Sequence, residues 1–235
     1  NEFTMTIANR RDIVDMINDT KLNEIRKPIC RFVGTITGEF PDSSLPTDKE
    51  LLLKEGAQVV FVKNDPDKRW VNGTIGQITE IVGKQIQILT ENGAKHTVEQ
   101  EIWENVRYEY DEEAKKVNEI VIGTFQQFPI KLAWALTIHK SQGLTFDKVI
   151  IDVGQGAFSG GQSYVALSRS RSLTGIKLRS TINARDIFVN QKVVDFSRRF
   201  NDTRLISSAL QGAKADYCYH RAAMYFNKGE YDKAA

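Results

Sequence analysis

The chain has 235 residues, 41% of them apolar and 26% charged, with a formal net charge of +2. That is enough material for one large or two small globular domains. No window approaches the ~18 apolar residues of a membrane span, so a membrane partner is not expected.

The first residues, NEFTMTIANRR, lack both the apolar stretch of a signal peptide and an initiator Met, so an excised piece of a longer chain is expected. FTMTIA reads as a short strand. RRDIVDMINDTKLNEI follows with apolar residues near helical spacing, and Pro28 should end that helix. GEFPDSSLPTD has turn composition. AQVVFVKND reads as a strand, and GTIGQITEIVG and KQIQILT alternate with period two. Gly83-Lys84 and Asn92-Gly93 stand where hairpin turns would sit. KHTVEQEIWENVRYEY continues the β pattern, so residues 69–123 are expected to form a small antiparallel barrel or meander.

From residue 130 the rhythm changes. IKLAWALTIH reads as one buried strand, KVIID as another and GIKLRST as a third, while GGQSYVALSRSRS and ARDIFVNQKVVDFSRRF have helical period. Strands alternating with helices predict a parallel sheet covered on both faces. The expected fold class is α/β: a parallel-sheet domain over 1–68 and 124–190, the β insertion at 69–123, and a helical tail at 191–235. The tail segment YCYHRAAMYFNKGEYDKAA resembles most of one tetratricopeptide repeat. A single repeat cannot bury its own apolar face, so neighbouring repeats beyond Ala235 and a protein partner are expected with it. A plain amphipathic helix is the competing reading. Cys30 and Cys218 lie far apart and form no CxxC pair, which fits reduced thiols and a cytoplasmic location.

Charge is unevenly spread: residues 80–119 carry a net of −5 and residues 128–182 a net of +5. The positive half surrounds an unusual interruption, His139-Lys140-Ser141-Gln142-Gly143, at the end of an apolar run. In a parallel α/β sheet, ligands bind at the carboxyl ends of strands. Lys140 offers charge there, Ser141 a hydroxyl, Gln142 an amide, and Gly143 lets the backbone approach a phosphate. This set grips an anion without moving a proton. A polar turn capped by Ser141 competes with that reading if the motif is taken alone. About twenty residues on, Arg169 ends the apolar turn Tyr164-Val165-Ala166-Leu167, with Tyr164, Val165 and Leu167 able to pack inward. A fixed Arg in that place suits charge neutralisation on a phosphoryl group through its planar fork. A solvated surface pair, SRSR, is the alternative.

LAWALTIHKSQGLTFDKVIIDVG followed by SYVALSRSRSLTGI closely resembles motifs V and VI of superfamily 1 DNA helicases, in the RecD-like and Pif-like 5′-to-3′ branch. TIANRRDIVDMIN is similar to that branch's motif IV region, and LKEGAQVVFVKND with WVNGTIGQI to the lead into its SH3-like insertion. The resemblance covers roughly residues 1–190 and implies a second RecA-like domain. It further implies that Arg169 is an arginine finger, worth roughly 10³–10⁵ in turnover where such a finger operates. Gln142 and Gly143 would lie near ATP, and Thr137, His139, Lys140 and Ser141 would hold single-stranded DNA. Trp70, beside Lys68 and Arg69, could stack on a base, whereas Trp134 is expected in the core.

The chain has no Gly-Lys followed by Ser or Thr, and its one Gly-Lys, Gly83-Lys84, precedes Gln85. Asp152 closes VIID, but Val153 follows where a second acid would be needed. ATP and Mg²⁺ are therefore expected to be bound mainly by a separate first RecA-like domain, this chain's partner, and the fragment alone to lack ATPase activity. No metal ligands are expected here. A non-catalytic nucleic-acid-binding module and an interaction scaffold are the alternative functions.

Overall fold

The computed structural model describes residues 3–112, 115–154, 156 and 160–234. Contacts divide the chain into two units, residues 1–187 and 188–235.

The first unit begins with β1 (Met5–Ala8), buried along its whole length, and α1 (Arg11–Glu24). Helical spacing turns Ile13, Val14 and Ile17 of α1 onto Ala8 and Ala135. The helix stops at Ile25, whose extended backbone leads towards Pro28 as expected. There follow β2 (Cys30–Val33), β3 (Thr35–Gly38), β4 (Glu50–Leu53), β5 (Gln58–Phe61), β6 (Ile75–Val82), β7 (Gln85–Thr90), β8 (Lys95–Val98), β9 (Glu101–Asp111) and β10 (Lys116–Gln127). β11 (Ile130–Leu132), β12 (Ala135–Thr137), β13 (Val149–Asp152), α2 (Gln162–Leu167) and β14 (Ile176–Leu178) complete the unit's helices and strands.

Among the described residues these strands make a parallel sheet in the order β12-β1-β13-β14 and a five-stranded antiparallel sheet in the order β11-β5-β6-β7-β8. A three-stranded sheet, β3-β10-β9, and the pair β2-β4 stand beside them. The two-residue turn at Gly83-Lys84 joins β6 to β7, with Val82 opposite Gln85, and Gly93 takes a left-handed φ of 81° in the turn between β7 and β8.

Three expectations change. The apolar run 130–139 is two strands in two sheets. Ile130 pairs with Phe61 in the antiparallel sheet, while Ala135 pairs with Thr6 in the parallel one. Side-chain amides hold the crossing: Gln58 Nε2 donates to Ala133 O at 2.6 Å, and Asn18 Oδ1 accepts the N–H groups of Trp134 and Ala135. The strand pairing also crosses the boundaries drawn at 69 and 123, because β5 and β11 join β6–β8, whereas β9 pairs with β10 and β10 with β3. Finally, the helical pattern over 184–200 is a short 3-10 turn, Ala184–Asp186, then a helix that starts only after Asn190.

β5 links the two main cores. Alternation sends Val59 and Phe61 into a cluster with Leu53, Ile78, Ile88, Phe128 and Ile130, and turns Val60 towards Met5, Ile7, Leu136, Phe146 and Ile151. With both faces covered, all four of its residues are buried.

The second unit holds α3 (Gln191–Arg199), α4 (Thr203–Asn227) and α5 (Tyr231–Ala234). Asn190 and Asp202 cap the first two through their side-chain oxygens. Gly229, at φ 75°, turns α4 into α5, and Phe226 meets Tyr231 edge-on. No described helix is long and apolar enough to cross a membrane.

Candidate functional site

β12 ends in Thr137, and the chain then coils into a tight turn. Ser141 N–H donates to Thr137 O at 2.9 Å, Gln142 N–H to His139 O at 3.2 Å, and Leu144 N–H to Ser141 O at 3.0 Å. Thr137 Oγ1 accepts from the Lys140 N–H at 3.2 Å. This winding turns His139, Lys140 and Gln142 outward, while Thr137 is half-buried. Gly143 takes φ 82° with open space where a Cβ would stand, so its backbone is accessible to an anion. Ser141 behaves differently from its neighbours. It is fully buried, and its Oγ donates to Ile138 O at 2.8 Å. In this conformation its hydroxyl shapes the turn and does not face a ligand.

α2 begins at Gly161 (φ 83°), and Ser163 Oγ anchors it by donating to Asp186 O at 2.6 Å. Ala166 is buried, with Val165 and Leu167 packed against the parallel-sheet core. Tyr164, expected to point inward with them, is 75% exposed. On so short a helix the inward arc is narrow, and Ala166 and Ser163 occupy it.

Arg169 follows α2 and joins the two motifs. Its Nε donates to Val165 O at 2.9 Å, Nη1 to Leu144 O at 2.9 Å and Ser141 O at 3.3 Å, and Nη2 to Ser168 Oγ at 2.9 Å. The backbones are joined as well: Phe146 N–H donates to Arg169 O and Arg171 N–H to Phe146 O. The two segments expected to face one cleft are therefore in contact, with the arginine fork turned back onto carbonyls of the turn. Arg171 and Asp147 also pair, at 2.8 Å, but both are largely exposed and such a pair contributes little.

Other expectations are settled by burial. Trp70 is 6% exposed, stacked on Phe61 at 4.5 Å between centroids and covered by the Arg69 guanidinium at 4.6 Å. It has no open face for a base. Arg69 also binds buried Asp65 through two nitrogens, which holds that carboxyl below the usual carboxylate range. Trp134 is half-buried against the antiparallel-sheet core. Asp152 accepts from the Gly154 N–H and lies 3.5 Å from Arg179. Among the described residues, no group of three His, Cys, Asp or Glu side chains could hold a metal.

Sequence reasoning missed Lys131. It lies in β11 between Ile130 and Leu132 and is half-buried; burial first, and the charge of nearby Lys140 second, lower its pKa to about 8. A single cation inside an apolar strand was the available signal. Because the folded pKa lies below the unfolded one, the unfolded state holds more protons between about pH 8 and pH 10, and stability should rise with pH there. Lys131→Met is expected to raise stability at pH 7 by on the order of 1–2 kcal/mol, with the gain vanishing above about pH 10. Urea unfolding at both pH values checks this; a gain that persists at the higher pH would point to packing as its cause.

The segment that carries both loops, residues 132–176, matches the UvrD-like helicase C-terminal domain. Within that class the likeness is to Pif1 helicases. The chain is 36% identical over 196 residues to the ATP-dependent DNA helicase Pif1 of Bdellovibrio bacteriovorus, covering 81% of this chain and 42% of that protein. The structure of unliganded Pif1 from Bacteroides sp superposes with a TM-score of 0.76 at 38% identity, over 85% of this chain and 46% of that one. A Bacteroides Pif1 in complex with ADP-AlF3 and ssDNA gives 0.66 at 38% identity, over 84% and 45%. These likenesses support a superfamily 1, Pif1-like helicase C-terminal part. The chain spans less than half the length of these relatives.

Proposed function

We propose that residues 1–187 serve as the second RecA-like motor domain of an ATP-dependent DNA helicase, with the five-stranded antiparallel sheet as its SH3-like piece. The observation that carries this reading is the direct link between the β12 turn and Arg169. Arg169 is the arginine finger in this scheme, and Gln142 and Gly143 are the nucleotide-side groups. Thr137, His139 and Lys140 grip the DNA backbone, and buried Ser141 positions them. The named relatives are ATP-dependent, and one structure holds ssDNA; ATP with Mg²⁺ and single-stranded DNA are thus the proposed ligands. A first RecA-like domain would supply most of the nucleotide contacts.

The geometry suggests how the two ligands communicate. A γ-phosphate is a stronger acceptor for a guanidinium fork than neutral carbonyls are. When Arg169 exchanges the carbonyls of Ser141 and Leu144 for phosphate oxygens, the turn that presents His139 and Lys140 loses its brace. Hydrolysis reverses the exchange. The DNA grip would thereby loosen and tighten with nucleotide state.

The 5′-to-3′ direction and the RecD-like kinship belong to the same proposal, carried by the sequence motifs. A second reading, recruitment of a protein partner by tetratricopeptide-like stacking, is favoured by the helix–Gly229–helix arrangement of α4 and α5. Leu205, Leu210, Tyr217 and Phe226 on α4 are exposed in keeping with it.

The test is binding of a labelled single-stranded oligonucleotide to the purified chain across a salt series. Affinity should fall with a slope near −0.7 per phosphate contacted, and Lys140→Ala should reduce that slope by about one contact. The isolated chain should not hydrolyse ATP. Salt-independent binding, or robust hydrolysis by the chain alone, would overturn the assignment.

A further inference from the structure

β9 and β10 run on as a ribbon past the core that anchors them. Near their base Trp103 stacks on Phe125, and Asn105 Nδ2 donates to Glu39 O at 2.8 Å. β3 pairs with β10 only from Gly123 to Gln126. Beyond that stretch β9 is the one strand paired with β10 among the described residues.

Residues opposite one another in an antiparallel pair share a face. Tyr110 stands opposite Val117, Tyr108 opposite Glu119, and Val106 opposite Val121. Tyr108 and Tyr110 are 63% and 62% exposed, Val117 59% and Val121 49%. The reverse face pairs Asp111 with Lys116, Glu109 with Asn118 and Arg107 with Ile120, and there Arg107 reaches Glu39 at 3.5 Å. The largely polar face is thus the one turned to the fold, and the apolar face is left bare. A ribbon surrounded by water needs no such face, since one-sided apolar alternation belongs to a strand with a cover.

β9 adds a second feature. It is an edge strand of 11 residues, and an edge strand presents backbone donors and acceptors that another strand can take up. Lys63 Nζ takes the Ile102 carbonyl at the base of β9.

Charge decides what can lie there. Residues 101–119 hold seven acids against three Lys or Arg, a net of −4, and Glu104 and Glu119 frame the apolar face. A nucleic acid would bring phosphates to carboxylates and is repelled. A second copy laid ribbon on ribbon would set acid against acid. A protein segment with lysine or arginine among apolar side chains suits both the charge and the bare face.

We propose that the β9–β10 ribbon is a docking surface for another protein, which lays an extended segment of alternating apolar and basic residues along the β9 edge. Its backbone continues the sheet. Its apolar side chains join Tyr108 and Tyr110 on one face, and its cations meet Glu109 and Asp111 on the other. The surface shares no residue with the β12 turn or Arg169, so its occupation is independent of the ligands proposed for those loops.

The experiment uses the full chain and a short synthetic peptide that alternates valine with lysine. Hydrogen exchange at the β9 amides should slow by about tenfold or more when the peptide is added. Fluorescence anisotropy of the labelled peptide should show about tenfold weaker binding to the double variant Tyr108→Ser, Tyr110→Ser, and several-fold weaker binding to Glu109→Lys. These side chains are exposed, so the urea midpoints should match wild type and exclude unfolding as the cause. A valine–glutamate peptide of equal length should bind far more weakly. Equal binding of that peptide, or undiminished binding by the double variant, refutes the proposal. Three other results also overturn it by naming a different occupant. Protection of β9 by oligo-dT would make the ribbon a nucleic-acid contact. Self-association abolished by the tyrosine changes would make it an interface between copies. Slow β9 exchange in a longer helicase carrying this domain, with no other protein present, would assign the cover to the rest of that chain.

Discussion

Arg169→Ala is expected to lower DNA-stimulated ATP hydrolysis by about 10³-fold or more in a helicase that carries this domain, with nucleotide affinity largely kept. A second effect comes from the structure itself. The guanidinium satisfies the carbonyl of Leu144 and adds a second donor to those of Val165 and Ser141, which also accept from Ser168 Oγ and the Leu144 N–H; leaving a partly buried acceptor without a partner costs about 1–3 kcal/mol. The isolated chain should therefore unfold at lower urea as well. Arg169→Lys separates the two roles. A lysine keeps the charge but offers no planar fork, so it should recover part of the stability and little of the turnover. Hydrolysis assays beside urea unfolding of both variants give the answer. Wild-type turnover in Arg169→Ala would remove the finger role while leaving the bracing role intact.

Gln127→Leu is expected to destabilise the chain by about 2–4 kcal/mol, the largest stability effect anticipated for a single side chain here. Gln127 ends β10 and is completely buried. Its amide nitrogen donates to Lys49 O at 3.0 Å and Phe32 O at 3.2 Å, with Asp48 O at 3.4 Å, and its Oε1 accepts the Phe128 N–H at 3.0 Å. One side chain thereby ties β2 and the segment before β4 to β10, and satisfies the N–H of the residue that follows β10. Leucine fills nearly the same volume, so the cost is one of unsatisfied polar groups and not of an empty space. The urea midpoint should fall with the slope unchanged. An unchanged midpoint would mean that water replaces the amide without penalty.

Local patterns were well legible in the sequence and long-range partners were not. Period-two alternation over 75–90 identified β6 and β7, and Gly83-Lys84 marked their turn, because both depend on neighbours in the chain. Pro28 announced the end of α1 for the same reason. Alternation says nothing about which strand lies alongside, so β5 and β11 were assigned to the wrong side of the insertion boundary. An unbroken apolar run likewise conceals the passage from one sheet to another at Ala133 and Trp134. At the candidate site, residue chemistry singled out the turn at 139–143 and Arg169, and Arg169 reaches the carbonyls of Ser141 and Leu144. It could not show that Ser141 turns inward, that Tyr164 turns outward, or that Trp70 is already sandwiched. Those depend on packing between strands, as Phe61 stacks on Trp70 and His96 meets it edge-on. Lys131 was hidden by its surroundings, since an apolar run draws attention away from its one charge.

The passage from β11 to β12 has a mechanical meaning. Only Ala133 and Trp134 separate a strand of the small antiparallel sheet from the strand that ends in the basic turn, and Gln58 and Asn18 clamp both sides of the join. A second strut runs nearby, where Gly73 comes so near Leu144 that a Cβ there would stand 2.5 Å from its side chain. A tug on the small sheet is therefore transmitted to the residues around Lys140 with little slack. The two sheets act as a lever and its fulcrum, so whatever pulls on one is registered at the other.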